Sequence, residues 1–285
     1  MSAIQIPETW KSDYVLWVET FALLNLAFLA LDIYIAHSVN DFRRHEEYIP
    51  FYFSLGSPPC LLIALLARER WRKPWLWTAL GGTVGWISIA VGIAGVLFHL
   101  QSHFFYERTL RSLTYAAPFA APLAYTGLGL LLLMNRMVDE RSPEWALWVL
   151  FLTLGGFAGN FILSLTDHAV NGFYRPAEWI PVISSAFAVG FLFVPFVIRA
   201  TYRYLAVCAL VLLVQAAVGI GGFLLHAAAN LHGPSTHLFR NLTNGAPPLA
   251  PLLFPNLVAL GLIGLWVLST HIRDSAPGSG RSREW

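Results

Sequence analysis

Long apolar runs separated by short polar connections fill most of this chain. Eight runs stand out, at about residues 13–37, 50–67, 76–100, 114–135, 144–168, 180–199, 203–228 and 247–270. Each has the roughly 20 residues a helix needs to cross a bilayer core of about 30 Å. Backbone groups cannot stay unpaired in lipid, so runs of this length are expected to be helices. They are too long and too uniformly apolar for barrel strands. The pattern predicts an all-α integral membrane protein with eight transmembrane helices.

The polar residues between the runs repeat. Residues 37–50 read HSVNDFRRHEEYIP and residues 168–181 read HAVNGFYRPAEWIP, with eight of the fourteen positions identical. Residues 91–99, VGIAGVLFH, return at 218–226 as VGIGGFLLH, and 111–122, RSLTYAAPFAAP, return at 240–251 as RNLTNGAPPLAP. The offsets are 131, 127 and 129 residues, with a small insertion ahead of Arg240. Spans 1–4 therefore align with spans 5–8. Residues 1–138 form the first four-helix repeat and 139–272 the second, and 273–285 form a polar tail expected to be disordered on the cytoplasmic side. A four-span repeat crosses the membrane an even number of times. Both copies then face the same way, and the expected fold is two tandem four-helix bundles related by a pseudo-two-fold axis along the membrane normal.

Composition agrees. The chain is 56% hydrophobic and only 12% charged, where a soluble domain carries about 25% charged residues. A net charge of +2 gives no reason to expect nucleic acid. Cys60 and Cys208 each lie inside an apolar run, and no disulfide framework is indicated. Lysine and arginine distribution sets the orientation. Both termini and the loops after spans 2, 4 and 6 receive twelve of these residues, including Lys11, Arg68, Arg70, Arg72, Lys73, Arg136, Arg281 and Arg283; the opposite side receives six. Both termini are expected in the cytoplasm. Trp10, Trp17, Trp71, Trp75, Trp77, Trp145 and Trp148 fall near the cytoplasmic span ends, as an interfacial aromatic belt would. The opening MSAIQIPETWKSDY lacks the basic region and cleavage site of a signal peptide and reads as a cytoplasmic lead-in.

The repeated polar residues then fall on one layer at the extracytoplasmic boundary. His37 and His99 close spans 1 and 3, Glu47 precedes span 2 and Arg111 precedes span 4. His168, His226, Glu178 and Arg240 are their second-copy counterparts. Ionisable groups at membrane depth are candidates for function, and duplication of the whole set strengthens that reading. A histidine at a helix end near the headgroups also has a plain structural reading.

Three chemistries fit. The first is b-type haem, which needs two neutral imidazoles at one depth. Spans 1 and 3 of an antiparallel bundle are diagonal neighbours, so His37/His99 and His168/His226 form candidate axial pairs. Gly95 and Gly92, with Gly222 and Gly219 in the second copy, lie four and seven residues before the later histidine and share its helix face. They would admit a flat macrocycle, or serve close helix packing. Arg111 and Arg240 suit propionates, because guanidinium pairs bidentately with carboxylate. Such a protein would be an electron-transfer protein or oxidoreductase, with a quinone or an extracytoplasmic redox protein as partner. The second chemistry is a dinuclear non-haem site for iron, zinc, manganese or copper. Each copy offers two histidines and one carboxylate: His37, His99 and Glu47, then His168, His226 and Glu178. The third is a parallel-repeat transporter, with Pro118, Pro122, Pro247 and Pro251 breaking helix starts. Against transport, the deep interior is poor in charge: Glu19 and Asp32 occur only in the first copy, and Asn25 and Gln215 are isolated.

Neighbouring residues refine these expectations. Asn40 and Asn171 lie one turn beyond His37 and His168 and could bond a ligand. Asp167 could orient His168. Arg44 and Arg175, three residues before Glu47 and Glu178, would pair with them if that segment is helical. The unmatched residues are His45, Glu46 and His103, which become Pro176, Ala177 and Asn230, and the inserted His232 and His237. They could give one copy its own task, or be unconstrained loop residues. In outline, with eight spans, two bundles, two histidine pairs and an extracytoplasmic site, the layout resembles haem A synthase. The histidines here close spans 1, 3, 5 and 7, and that family's glutamate–histidine motif has no counterpart, so no residue role is carried over. No phosphate loop, HExxH or nucleophile elbow occurs. Asn241-Leu-Thr243 matches a glycosylation sequon on the expected outer side.

Overall fold

The structure, a computed structural model, describes residues 13–274. The expected lead-in ahead of residue 13 and the tail from residue 275, with Trp10, Lys11, Arg281 and Arg283, lie outside the described residues. The described chain is helical, with no strand. In order the helices are α1 (Tyr14–His37), α2 (Tyr48–Glu69), α3 (Pro74–Gln101), α4 (Phe104–Glu107), α5 (Leu110–Thr114), α6 (Leu123–Met137), α7 (Pro143–Val170), α8 (Trp179–Phe193), α9 (Tyr202–Leu231), α10 (Leu238–Asn244) and α11 (Leu253–Asp274). Several are capped where the sequence offers a short polar side chain ahead of an apolar run. Asp13, Ser142 and Thr201 accept from the amides of Leu16, Trp145 and Tyr204 at 2.9, 3.3 and 3.3 Å, satisfying donors that a helix start leaves open.

Seven helices among the described residues are long and apolar enough to cross a membrane; all of the expected spans but the fourth correspond to one of them. The apolar run at 114–135 does not form one continuous helix. Chain direction breaks after α5, and α6 begins only at Leu123, immediately after Pro122. Proline has no amide hydrogen and clashes with the preceding turn, so Pro118 and Pro122 delay the helix. Its 15 residues span about 22 Å at 1.5 Å per residue. The last span likewise starts late, through a short 3-10 turn at Ala250–Leu252, where Pro247, Pro248 and Pro251 crowd the entry. Large apolar side chains such as Leu24, Leu62, Trp86, Phe187, Leu210 and Leu225 are exposed, as required of surfaces that face lipid.

The described residues fall in two compact units. One is drawn from Met1–Leu97 and Pro122–Glu140, the other from Phe98–Ala121 and Arg141–Trp285. In the first unit α1 packs on α2 and α6 around Ala22, Leu26, Leu29, Leu61, Val84, Leu128 and Leu132. Helices α3 and α6 approach backbone to backbone at Gly85 and Gly129. In the second unit α11 packs on α7 and α9, and α8 on the same two helices. Fully buried Trp145, Leu150, Phe157, Leu192 and Leu212 form its centre.

The first unit also buries an ion pair. Glu19 is fully buried and accepts from Arg136 Nη1 at 2.6 Å and Nη2 at 3.1 Å, and from Asn135 Nδ2 at 3.0 Å. Arg136 spends its other donors on the carbonyls of Leu132 and Trp77 and lies 4.4 Å over the Trp77 ring. A side chain at position 81 would collide with the guanidinium, so Gly81 makes the space. Every charge-bearing atom is partnered, which is the condition for burying ions at all. By the sequence offsets, the second repeat places Leu150 and Leu265 at these two positions and Gly264 at that of Asn135; both leucines are buried, and Gly264 packs on Leu150. The chain thus holds ionic and apolar solutions to one packing position.

That contrast predicts a compensation. Arg136→Leu alone leaves Glu19 buried and unpaired and should destabilise the protein by about 3–5 kcal/mol. Adding Glu19→Leu should recover most of the loss. Unfolding by SDS titration in mixed micelles measures both, and a double variant as unstable as the single one would contradict the account.

Candidate functional site

The four repeated histidines sit where helices end, and in each the geometry begins with the backbone. Helix α3 ends just beyond His99, and His99 Nδ1 lies 2.9 Å from the carbonyl oxygen of Pro118. In the other repeat His226 Nδ1 lies 2.7 Å from the carbonyl oxygen of Pro247. These carbonyls are available because of proline spacing. In a helix the carbonyl of residue 118 would accept from the amide of residue 122, and that of 247 from 251. Both are prolines and have no amide hydrogen. His226 takes the position that Pro251 leaves open, while His99 shares the Pro118 carbonyl with the Ala121 amide, which reaches it at 3.1 Å. The turns are held against the helix ends by different residues. Ser102 Oγ accepts the Ala117 amide at 2.8 Å, while Asn230 Nδ2 donates to the Ala246 carbonyl at 2.8 Å.

A carbonyl oxygen can only accept. The bonded Nδ1 therefore carries the proton, and in the neutral ring the lone pair is on Nε2. That is the tautomer a metal ligand uses, with its second nitrogen oriented by a fixed acceptor.

The other two histidines meet carboxylates. His37 Nδ1 and Glu47 Oε2 are 3.7 Å apart, and His168 Nδ1 and Glu178 Oε2 are also 3.7 Å apart. In both glutamates that Oε2 is buried and accepts no hydrogen bond. Glu47 Oε1 accepts from Asn40 Nδ2 at 2.8 Å; Asn171 makes no matching bond to Glu178. The expected Arg44–Glu47 and Arg175–Glu178 pairs do not form among the described residues. Both arginines adopt extended backbone ahead of a 3-10 turn, so the i to i+3 helical neighbour relation does not apply. The groups that meet the carboxylates are the histidines, and Asp167 is not needed for that role at His168.

The loop after each of these histidines is strained in the same way. Asp41 and Phe42 have φ of 55° and 49°; Gly172 and Phe173 have φ of 66° and 51°. The left-handed region costs roughly 1–2 kcal/mol for a residue with a side chain. The bend turns the Phe42 amide back to the His37 carbonyl at 3.2 Å and the Phe173 amide to the His168 carbonyl at 3.0 Å. Each phenyl ring then sits beside its histidine, at 5.7 and 6.2 Å between centroids, and stacks on the first residue of the next helix, Tyr48 or Trp179, at 4.9 and 3.8 Å. Phe42 and Phe173 were visible in the repeat as identical letters, but only the backbone shows why they are shared. Strain retained twice marks a place where the surroundings over-determine the conformation.

The remaining expected site residues are less constrained. Arg111 is exposed, 6.0 Å above the Tyr115 ring, and Arg240 is exposed on α10. His37 and Glu47 belong to the first unit; His99, Arg111, His168, Glu178, His226 and Arg240 belong to the second. No three His, Cys, Asp or Glu side chains among the described residues gather closely enough to hold a metal ion, so the two-histidine, one-carboxylate sets do not assemble there. The glycine stripe is not a slot for a macrocycle. A Cβ at Gly92 or Gly95 would run into Pro122 and Thr126, and one at Gly219 or Gly222 into Pro251, Phe254 and Pro255. Small residues on this face let the proline-bearing helix starts approach. The sequon is also closed. Asn241 is buried, with Nδ2 donating to the Ser235 carbonyl at 2.9 Å and Oδ1 accepting the Ser235 amide at 3.0 Å.

The loop strain gives a paired prediction. Asp41→Gly should stabilise the protein by about 1 kcal/mol, since glycine adopts positive φ freely. Gly172→Ala should cost a similar amount, although a Cβ there has open space around it. SDS-titrated unfolding of the two variants should move in opposite directions.

No protein-family model matches the chain, and neither a curated protein nor a solved structure is significantly similar to it.

Proposed function

We propose that the chain is a multi-pass membrane haem protein working in electron transfer, with a b-type haem ligated by the two histidines of a repeat. The second repeat carries the reading. The observation that supports it most is the Pro247 carbonyl at 2.7 Å from His226 Nδ1, which leaves Nε2 as the free lone pair. His168 faces a buried carboxylate through Nδ1. Both rings are thus oriented through one nitrogen, as iron-ligating imidazoles are. His37 and His99 have the matching local neighbours, Glu47 and the Pro118 carbonyl, each within its own unit. The haem would supply a one-electron couple. The protein's part is to fix the His226 tautomer, to set a carboxylate beside His168 Nδ1, to wall the His168 ring with Phe173, and to offer Arg240 and Arg111 as exposed cations for propionates.

The wider arrangement in this proposal has α6 as the fourth of eight crossings, two four-helix repeats related by an axis along the membrane normal, and both termini in the cytoplasm. The histidine layer is extracytoplasmic. With its sites on one face, the protein exchanges electrons at that surface, with a quinone or an extracytoplasmic redox protein. The dinuclear non-haem alternative draws less support, because Glu47 and Glu178 point at Nδ1 atoms rather than standing beside free ligand nitrogens.

The absorption spectrum of the purified full chain, with metal analysis, is the test. The expected result is a Soret band with the sharp visible bands of a low-spin bis-imidazole haem, reduced in His226→Ala and in His168→Ala. Glu178→Gln should keep the haem and shift its midpoint potential upward, because a weaker acceptor at Nδ1 leaves the ligand less basic. Stoichiometric iron, zinc or copper without a Soret band would overturn the proposal in favour of the non-haem site. Absence of both would leave transport.

A further inference from the structure

We propose that the turn joining α2 to α3, residues 69–75, is a binding surface for anionic phospholipid headgroups. The sequence there reads ERWRKPW. It connects two helices that are each long and apolar enough to cross a membrane, which places the turn at headgroup depth. The backbone is closed and defined. The amides of Arg70 and Trp71 donate to the Leu66 carbonyl at 2.9 and 3.0 Å, and that of Lys73 to the Ala67 carbonyl at 2.8 Å, with Arg72 in the left-handed region at φ 52°. All seven residues of the turn are exposed.

Charge is distributed unevenly across it. The nearby carboxylates, Asp13 and Glu69, are both engaged by Arg68, at 3.0 and 2.8 Å. Arg70, Arg72 and Lys73 form no ion pair among the described residues, and they are the outward cations. Two indoles are interleaved with them: Trp71 is 49% exposed and Trp75 67% exposed, and exposed tryptophan is an interfacial anchor. Guanidinium matches phosphate oxygens bidentately. Three unpaired cations in a turn that carries two interfacial tryptophans therefore fit a negatively charged headgroup rather than a zwitterionic one. The corresponding connection of the second repeat, residues 194–203, reads VPFVIRATYR, with two cations and no tryptophan. The surface is a property of the first repeat and is independent of any haem.

Native mass spectrometry of the full chain in detergent, titrated with phosphatidylglycerol or phosphatidylcholine, tests this. Phosphatidylglycerol should bind more tightly in its first event, and each cation removed by Arg70→Gln, Arg72→Gln or Lys73→Gln should weaken that event about fivefold. The Arg70→Lys/Arg72→Lys protein should keep the preference, and Arg199→Gln/Arg203→Gln should change it less than the turn substitutions. Equal binding of the two lipids, or undiminished phosphatidylglycerol binding by the triple glutamine variant, would overturn the proposal. The single variants carry the test if the triple variant fails to fold.

Discussion

Unpaired backbone carbonyls are costly in a membrane, and this chain removes the helical donor of two by placing proline four residues after proline. Pro122 cannot donate to the Pro118 carbonyl, nor Pro251 to that of Pro247. His99 and His226 fill those positions from neighbouring helix ends. Much of the candidate site follows from that single debt. The histidines must approach the proline turns, so the helix faces beneath them must be bare, and Gly92, Gly95, Gly219 and Gly222 are the positions where Pro122, Thr126, Pro251, Phe254 and Pro255 come in. The tautomer is fixed by the same contact, which puts the proton of each neutral ring on Nδ1 and its lone pair on Nε2.

The duplication supplies an internal comparison that a single unit could not. What both copies share at the histidine end is a proline carbonyl beside a histidine Nδ1, a buried glutamate oxygen 3.7 Å from the other Nδ1, and the left-handed phenylalanine. What they do not share lies in the helix interiors. Tyr125 is hydrogen-bonded through its hydroxyl to Ser54 and the Pro50 carbonyl, where the second repeat has Phe254. Glu19 and Arg136 stand where it has Leu150 and Leu265. Packing positions have accepted polar and apolar answers alike, and at the histidine end the contacts made by the histidines recur while the residues that brace the turns differ.

Much of this was legible in the sequence. Apolar run length alone located seven helices to within a few residues, and the echo of HSVNDFRRHEEYIP in HAVNGFYRPAEWIP pointed to the two histidine–glutamate contacts. The errors share a cause: they concern direction, which letters do not carry. Glycines spaced four and seven residues from a histidine share its face, but only packing decides whether a cofactor or a proline occupies it. Arg44 is three residues from Glu47, yet it is the extended cap of a 3-10 turn and not part of an α-helix, and the glutamate side chain goes to His37 and Asn40. Arg136 looked like a loop cation marking orientation and is instead almost fully buried against Glu19. The proline spacing was plain to read; its consequence depended on which side chain reached the turn.

The central claim is that the fold fixes the protonated nitrogen of these histidines before any ligand arrives. Nitrogen-15 NMR of histidine-labelled protein, assigned with single His→Gln variants, reads the tautomer directly. The account predicts that His99 and His226, in the neutral form, carry the proton on Nδ1. A proton on Nε2 of either ring would contradict it.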